Sequence, residues 1–150
     1  MYVTELATNK KHQVKVRLVD QGDYKYITKA RYYFNWKAEN EVYKLVLKEE
    51  ILGLMSCIHY KIEQRIEIKL LAVSKDNRGA GKIYARVAGT LIGFACREVV
   101  KNYGSEGCVS LVPKTQLKQY YMDYYGMLSA GQQVFLAGQP LLDLLKEYEL

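Results

Sequence analysis

The chain has 150 residues, 49% hydrophobic and 25% charged, which suits one globular domain with a sizeable core and excludes a disordered or fibrous chain. The net charge of +6 favours anionic partners, but the 22 basic residues are dispersed, so charge alone gives weak support for nucleic acid. The three cysteines, Cys57, Cys96 and Cys108, have no CxxC spacing and suggest neither a disulfide framework nor a zinc ribbon, and the start carries no apolar signal-peptide region.

Residues 14–19 alternate like a strand. Residues 22–36, rich in Tyr, read as a helix that Asp23 would cap. Val42–Lys48 and Ile51–Tyr60 read as two strands of a hairpin. Arg65–Val73 is the clearest strand, with Ile66, Ile68 and Leu70 on one side and Glu67, Lys69 and Leu71 on the other. A breaker, SKDNRGAG, comes next. The spacing of Tyr84, Val87, Ala88, Leu91, Ile92, Ala95 and Val99 predicts a helix from about Gly79 to Lys101. Residues 107–112 read as a strand ended by Pro113, and residues 114–125 as a helix stopped by Gly126. Val134–Ala137 reads as a last strand and Pro140–Tyr148 as a C-terminal helix. Early strands succeeded by alternating strands and helices suggest one mixed sheet with helices packed on it, an α/β (α+β) architecture.

The segment from Leu70 to Lys82 is the informative one: a strand, a polar loop with Gly79 and Gly81, then a predicted helix. The first N–H groups of a helix have no intrahelical partner and carry the positive end of its dipole. Glycines let an anion approach that backbone, and Arg78 and Lys82 add charge. The dinucleotide fingerprint needs a third glycine where Tyr84 stands, and the P-loop spacing is absent. A tight strand-to-helix turn that needs glycine for steric reasons is the plain alternative.

The stretch Glu67 to Lys82 resembles the core of the GNAT acetyl-CoA-dependent N-acetyltransferases, whose strand runs into a Q/R-x-x-G-x-G/A loop. Asp76-Asn77-Arg78-Gly79-Ala80-Gly81 occupies the motif, with Asp76 where Gln or Arg is usual. Tyr120-Tyr121-Met122-Asp123-Tyr124-Tyr125-Gly126-Met127 is similar to the family's tyrosine stretch, so the resemblance spans Val42 to Met127. It implies a single domain over residues 1–150, with a mixed, mostly antiparallel sheet splayed at the acetyl-CoA site and flanked by helices on both faces. It implies acetyl-CoA as co-substrate and no metal. Leu71, Ala72 and Val73 would pair with the pantetheine arm, Arg78, Gly79, Ala80, Gly81 and Lys82 would hold the pyrophosphate, and Lys114 would reach the CoA. The strand at Leu71–Val73 would part from the one at 107–112.

The implied reaction is transfer of acetyl to a primary amine by direct attack. Acetyl transfer to an ammonium needs a base, an acid for the departing thiolate and a donor for the developing oxyanion. Glu67 stands at the family's base position; the alternative is an exposed strand Glu paired with Lys69 or a neighbour. Tyr121 is the candidate acid, with Tyr120, Tyr124 and Tyr125 as rivals, because counting back from Gly126 puts Met122 at that position. The acceptor would be a small-molecule or peptide amine, in the cytoplasm, with no membrane partner; a homodimer is compatible. Aminoacyl-tRNA acetylation of a toxin-like kind, and acetyl-CoA binding without catalysis, are the rival readings. Gly89 and Gly93 point to close helix-on-sheet packing, His12 and His59 lack a metal-ligand pattern, and Trp36 with Tyr32, Tyr33 and Phe34 reads as core, with cleft lining as the alternative.

Overall fold

A computed structural model describes all residues, 1–150. Strands β1 (Tyr2–Glu5), β2 (Lys10–Gln13) and β3 (Lys15–Leu18) come first, then the short helix α1 (Lys29–Tyr32) between two 3₁₀ turns. Next are β4 (Val42–Leu47), β5 (Glu50–Tyr60) and β6 (Arg65–Val73), a two-residue strand β7 (Tyr84–Ala85) and the long helix α2 (Val87–Tyr103). Strand β8 (Cys108–Leu111), helix α3 (Lys118–Tyr125), strands β9 (Leu128–Ala130) and β10 (Gln133–Ala137) and helix α4 (Gly138–Glu147) complete the chain. Seven strands form one mixed sheet in the order β3-β4-β5-β6-β8-β10-β9, flanked by helices; β2, β1 and β7 form a separate small sheet. The β6–β8 pair is parallel, and β3–β4, β4–β5, β8–β10 and β10–β9 are antiparallel. By contacts the chain divides into two compact units, Met1–Ser56 with Leu70–Leu91, and Cys57–Lys69 with Ile92–Leu150.

In the first unit, β5 opens as an almost unbroken buried run, Ile51 to Cys57, the pattern of a strand covered on both faces. Gly53 lies in it for a reason of space. A Cβ there would meet Val87 Cγ1 at 2.8 Å, Leu91 Cδ1 at 3.0 Å and the Ala72 carbonyl at 3.1 Å, so the absent side chain lets the first turns of α2 rest on the strand. Residues 22–36 are not the single Tyr-rich helix expected from the sequence. Thr28 caps α1 by accepting from the Arg31 amide (3.3 Å), and Tyr33, at φ 74°, ends it after one turn. The aromatic rings are anchored one by one instead: the Tyr32 hydroxyl donates to the Ile51 carbonyl (2.8 Å) and Trp36 Nε1 donates to the Tyr32 carbonyl (3.0 Å). Tyr32 and Trp36 are buried with Val42, Ile51, Leu54 and Ala72, so Trp36 is a core residue. Asp23 caps no long helix; in the 3₁₀ turn Gln21–Lys25 its carboxylate accepts from the amide of Asp20 (2.9 Å), half of a capping box, and also from Lys44.

In the second unit, Val109, Leu136 and Val99 are fully buried around the β8–β10 pair and the later turns of α2. A Cβ at Gly93 would collide with the Leu150 side chain, so this glycine admits the C-terminal residue rather than a sheet. Gly126 closes α3 at φ 73°, with its amide donating to the Met122 carbonyl (3.1 Å). No helix is long and apolar enough to cross a membrane.

Candidate functional site

The end of β6 and the loop after it lie in the first unit. Ala72 is buried, with Leu71 and Val73 half-buried. The Ser74 amide donates to the Leu52 carbonyl (2.9 Å), fastening the strand end to β5. Asn77 then organises the loop. Its Nδ2 donates to Ser74 Oγ (2.8 Å), and its Oδ1 accepts from the Tyr84 amide (2.9 Å). The Ile83 amide donates to the Asp76 carbonyl (3.2 Å). Asn77 was legible only as part of a motif; nothing in its spacing announced that a buried amide closes the loop.

Arg78, Gly79, Ala80, Gly81 and Lys82 are all exposed. Arg78 is tethered: its Nε donates to the Val73 carbonyl (3.1 Å) and its guanidinium lies 3.5 Å from the centre of the Tyr33 ring. Gly79 sits at φ 68°, which favours glycine for conformational reasons, whereas a Cβ at either Gly79 or Gly81 would meet nothing within 4 Å. Steric crowding therefore does not explain the glycine pair.

The predicted start of the helix near Gly79 requires correction. Helix α2 begins at Val87, after β7. The cause is a strand from the other end of the chain: β1 pairs with β7 (Thr4↔Ala85, Glu5↔Tyr84), and the Leu6 amide donates to the Ile83 carbonyl (3.0 Å). A segment held extended from 83 to 85 cannot be helical. Arg86 makes the corner at φ 78°, and the Thr90 amide donates back to its carbonyl (3.0 Å). The helical N–H groups without an intrahelical partner are thus those of the first turn from Val87, not those of Arg78 to Lys82. Cations gather beside this end: the Arg86 and Lys11 side chains lie 4.2 and 4.5 Å from the centre of the Tyr2 ring.

Glu67 belongs to the second unit, as do Tyr121 and Lys114. Glu67 faces Ser110 across the parallel β6–β8 ladder and is mostly buried, with a side chain 19% exposed. Its partner is Arg65, not Lys69: Arg65 Nη1 stands 3.5 Å from Glu67 Oε1 and donates to Ser110 Oγ at 2.8 Å. Glu63 grips the same guanidinium at 2.6 Å, and the Tyr60 ring lies 4.1 Å from it. Burial would lower the Arg65 pKa, but these anionic neighbours outweigh it and raise it. The ladder runs from Arg65↔Cys108 to Ile68↔Leu111 and stops there, short of Leu71–Val73. Pro113, just past β8, has no N–H with which to extend it. Lys114, next in the chain, is exposed.

Helix α3 separates its tyrosines by face. Tyr120 and Tyr124 are exposed and stacked (centroids 5.3 Å apart); Tyr121 and Tyr125 are stacked on the inner side (5.9 Å). Burial, then the neighbouring Tyr120, pushes the Tyr121 hydroxyl pKa up, and burial pushes Tyr125 up further. Both remain protonated at neutral pH. Tyr125 is only 7% exposed, whereas Tyr121 is half-buried at the margin. Two of the cysteines show no activation: burial pushes the Cys96 thiol up to about 12 and raises Cys108. His12 pairs with Glu5 (2.8 Å), His59 lies 3.5 Å from the Tyr103 hydroxyl, and no group of three His, Cys, Asp or Glu residues is placed to hold a metal ion.

The chain has the GNAT acetyltransferase fold. A chimera of the spermidine N-acetyltransferase SpeG from Vibrio cholerae and hSSAT superposes with a TM-score of 0.63 at 15% identity, over 87% of this chain and 99% of that one. A GNAT family acetyltransferase from Elizabethkingia anophelis with acetyl-CoA bound gives 0.53 at 13% identity, over 83% and 97%. The AtaT toxin bound to the C-terminus of the antitoxin AtaR gives 0.56 at 12% identity, over 91% and 99%. No family model and no curated protein sequence matches the chain.

Proposed function

We propose that residues 1–150 act as one cytoplasmic acetyltransferase domain that moves an acetyl group from acetyl-CoA to a primary amine by direct attack. The observation that carries this is the strand end, tethered loop and helix start of the first unit, in a chain of GNAT fold. Gly53 lets the first turn of α2 lie close on β5, and Arg86 turns the chain out of the β7 ladder into the helix, whose first-turn N–H groups have no intrahelical partner. That is a fitting seat for a pyrophosphate. The edges of Leu71, Ala72 and Val73 would take the pantetheine. Arg78, Gly79, Ala80, Gly81 and Lys82 would border the phosphates, with Lys114 adding a cation. That related folds have been solved with CoA or acetyl-CoA bound supports the choice of co-substrate.

Acetyl-CoA supplies an activated thioester; the chain supplies positioning and proton handling. Glu67 is the proposed base and takes the proton of the acceptor ammonium, held in place by Arg65. Tyr121 is the proposed acid and gives its proton to the departing sulfur. The raised thiol pKa values of Cys96 and Cys108 support a route without an acyl-cysteine.

The test is CoA titration with thermal unfolding. Saturation at a hundred times Kd contributes about 2.7 kcal/mol, or a rise of about 5–10 °C for a domain of this size. Replacing Gly79 and Gly81 with Val should weaken CoA binding while the fold persists. Absence of any CoA binding by the folded parent would overturn the proposal.

A further inference from the structure

The first unit contains a cavity of about 580 Å³ that has no part in the proposed co-substrate site. Its volume is that of a small-molecule site. The apolar wall is made by Val46, Ile51 and Tyr32, and the charged groups divide between two ends.

At the β3–β4 end, Arg17 and Lys44 are direct cross-strand partners and so share a face. Asp20 and Asp23 oppose them, two charges against two, so this end is neutral. Lys44 is only 4% exposed. Of its three N–H donors, one makes a short bond to Asp23 (2.5 Å); Asp20 stands at 3.9 Å, outside hydrogen-bond reach. A buried ammonium on the cavity wall therefore has donor capacity to spare.

At the β4–β5 hairpin end, Glu49 and Glu50 meet a single cation, Arg31. Arg31 is shared, 3.3 Å from Glu50 and 3.5 Å from Asp76. One cation against two lining carboxylates, and that cation shared with Asp76 outside the lining, leaves this end anionic on a chain whose net charge is +6. The register separates the ends. Glu50 faces Leu47, and Leu47 is three residues from Lys44, or about 10 Å along the strand.

We infer that this cavity binds a small amine that carries an ammonium group at one end of an apolar stem and a neutral oxygen, hydroxyl or amide carbonyl, at the other. The ammonium lies against Glu49 and Glu50, the stem along Val46 and Ile51, and the oxygen accepts from Lys44. A carboxylate in place of that oxygen is disfavoured, because Asp20 and Asp23 already neutralise the cationic end. The Leu52 carbonyl on the wall strand binds the Ser74 amide, and Arg31 reaches Asp76, so the cavity adjoins the strand end and loop assigned to the co-substrate. Glu67, the proposed base, does not line the cavity, so the amine bound here is distinct from the acetyl acceptor, and its binding does not rest on the acetyl-transfer reading.

The experiment is calorimetric titration of the full chain with four probes of matched length: aminohexanol, hexylamine, aminohexanoate and adipate. Aminohexanol should bind tightest and adipate weakest. Glu49→Gln with Glu50→Gln, both surface changes, should weaken aminohexanol about tenfold, and salt should weaken it in the parent. Lys44→Met should erase the advantage of aminohexanol over hexylamine, and the glutamine pair decides the matter if that variant does not fold. Tightest binding by adipate, no binding of any amine, or unchanged affinity in the glutamine pair would overturn the inference. CoA titrated in parallel separates the two claims. CoA binding without amine binding overturns the cavity assignment alone; amine binding without CoA binding overturns the transfer reading alone.

Discussion

Gly53→Ala tests whether the start of α2 is seated on β5 through the space this glycine leaves. The added methyl would stand 2.8 Å from Val87 Cγ1, 3.0 Å from Leu91 Cδ1 and 3.1 Å from the Ala72 carbonyl. Two of these neighbours are side chains on a helix that can shift; the third is backbone in the adjacent strand and cannot move alone. Overpacking of this kind costs about 1–3 kcal/mol. Gly→Ala in a strand returns about 0.5–1 kcal/mol by reducing backbone freedom in the unfolded chain. The middles of these ranges leave a net loss of about 1 kcal/mol, a fall in Tm of about 2–4 °C for a domain of this length. Because the strain falls on the first turn of α2, CoA affinity should fall as well, by more than the stability loss alone would produce in a variant still fully folded at the assay temperature. Circular dichroism melting and CoA titration on the same samples measure both. A Gly53→Ala protein with parental Tm and parental CoA affinity would show that the helix start is not held by this contact and that the seat for phosphate is not where we place it.

Two further predictions concern single side chains. Burial alone would raise the Asp23 pKa, but hydrogen bonds from Lys44 and the Asp20 amide, with Arg17 near, hold the carboxyl below the usual carboxylate range. A lowered folded value stabilises above the unfolded value near 3.8 and is lost as pH falls through the folded one, so Asp23→Asn should flatten the acid limb of stability against pH. It should also cost about 3 kcal/mol at neutral pH by leaving buried Lys44 with only the distant Asp20; acid and urea unfolding measure both, and a parental curve would refute the pairing. Tyr121→Phe removes a hydroxyl and keeps the ring, so once an acceptor is in hand it should slow transfer by about 10²–10⁴-fold and leave CoA affinity unchanged. If the rate is parental across pH, the acid is another group, and Tyr125 is too buried to be the first alternative.

The features legible in the chain were those that local pattern decides. Strand β6 alternates from Arg65 to Leu70, Pro113 and Gly126 punctuate where their backbone chemistry demands, and the β4–β5 hairpin is two β-rich runs with a short break. The segment 22–36 misled because its aromatic content suits a helix, when Tyr32 and Trp36 are in fact fixed by hydrogen bonds to the Ile51 and Tyr32 carbonyls. Strands β1 and β2 were invisible for a different reason: KKHQ has no apolar alternation to detect. The cavity could not have been found either, since the facing of Arg17 and Lys44 depends on a register between strands that no spacing along the chain encodes.

The displaced start of α2 comes from the same limit and changes the functional argument. A glycine pair after a strand suggests a phosphate loop because one expects the helix to begin there, so that side-chain cations, bare backbone and helix dipole coincide. In this chain they are divided. The glycines and Lys82 belong to an exposed loop held by Asn77, while the dipole end lies beyond β7, where β1 has pulled residues 83–85 straight. Arg86 adopts a conformation that costs a non-glycine residue about 1 kcal/mol or more, and it does so at the corner where the extended segment gives way to helix. Such strain persists only where the surroundings impose it, and here they do so from both sides, through the β1–β7 pairs before it and the seating of Val87 and Leu91 over Gly53 after it. The N-terminal strand is therefore part of the machinery that aims the helix start. Its pairing with Tyr84 and Ala85 would give the first residues of the chain a role in the proposed site even though none of them would touch the co-substrate.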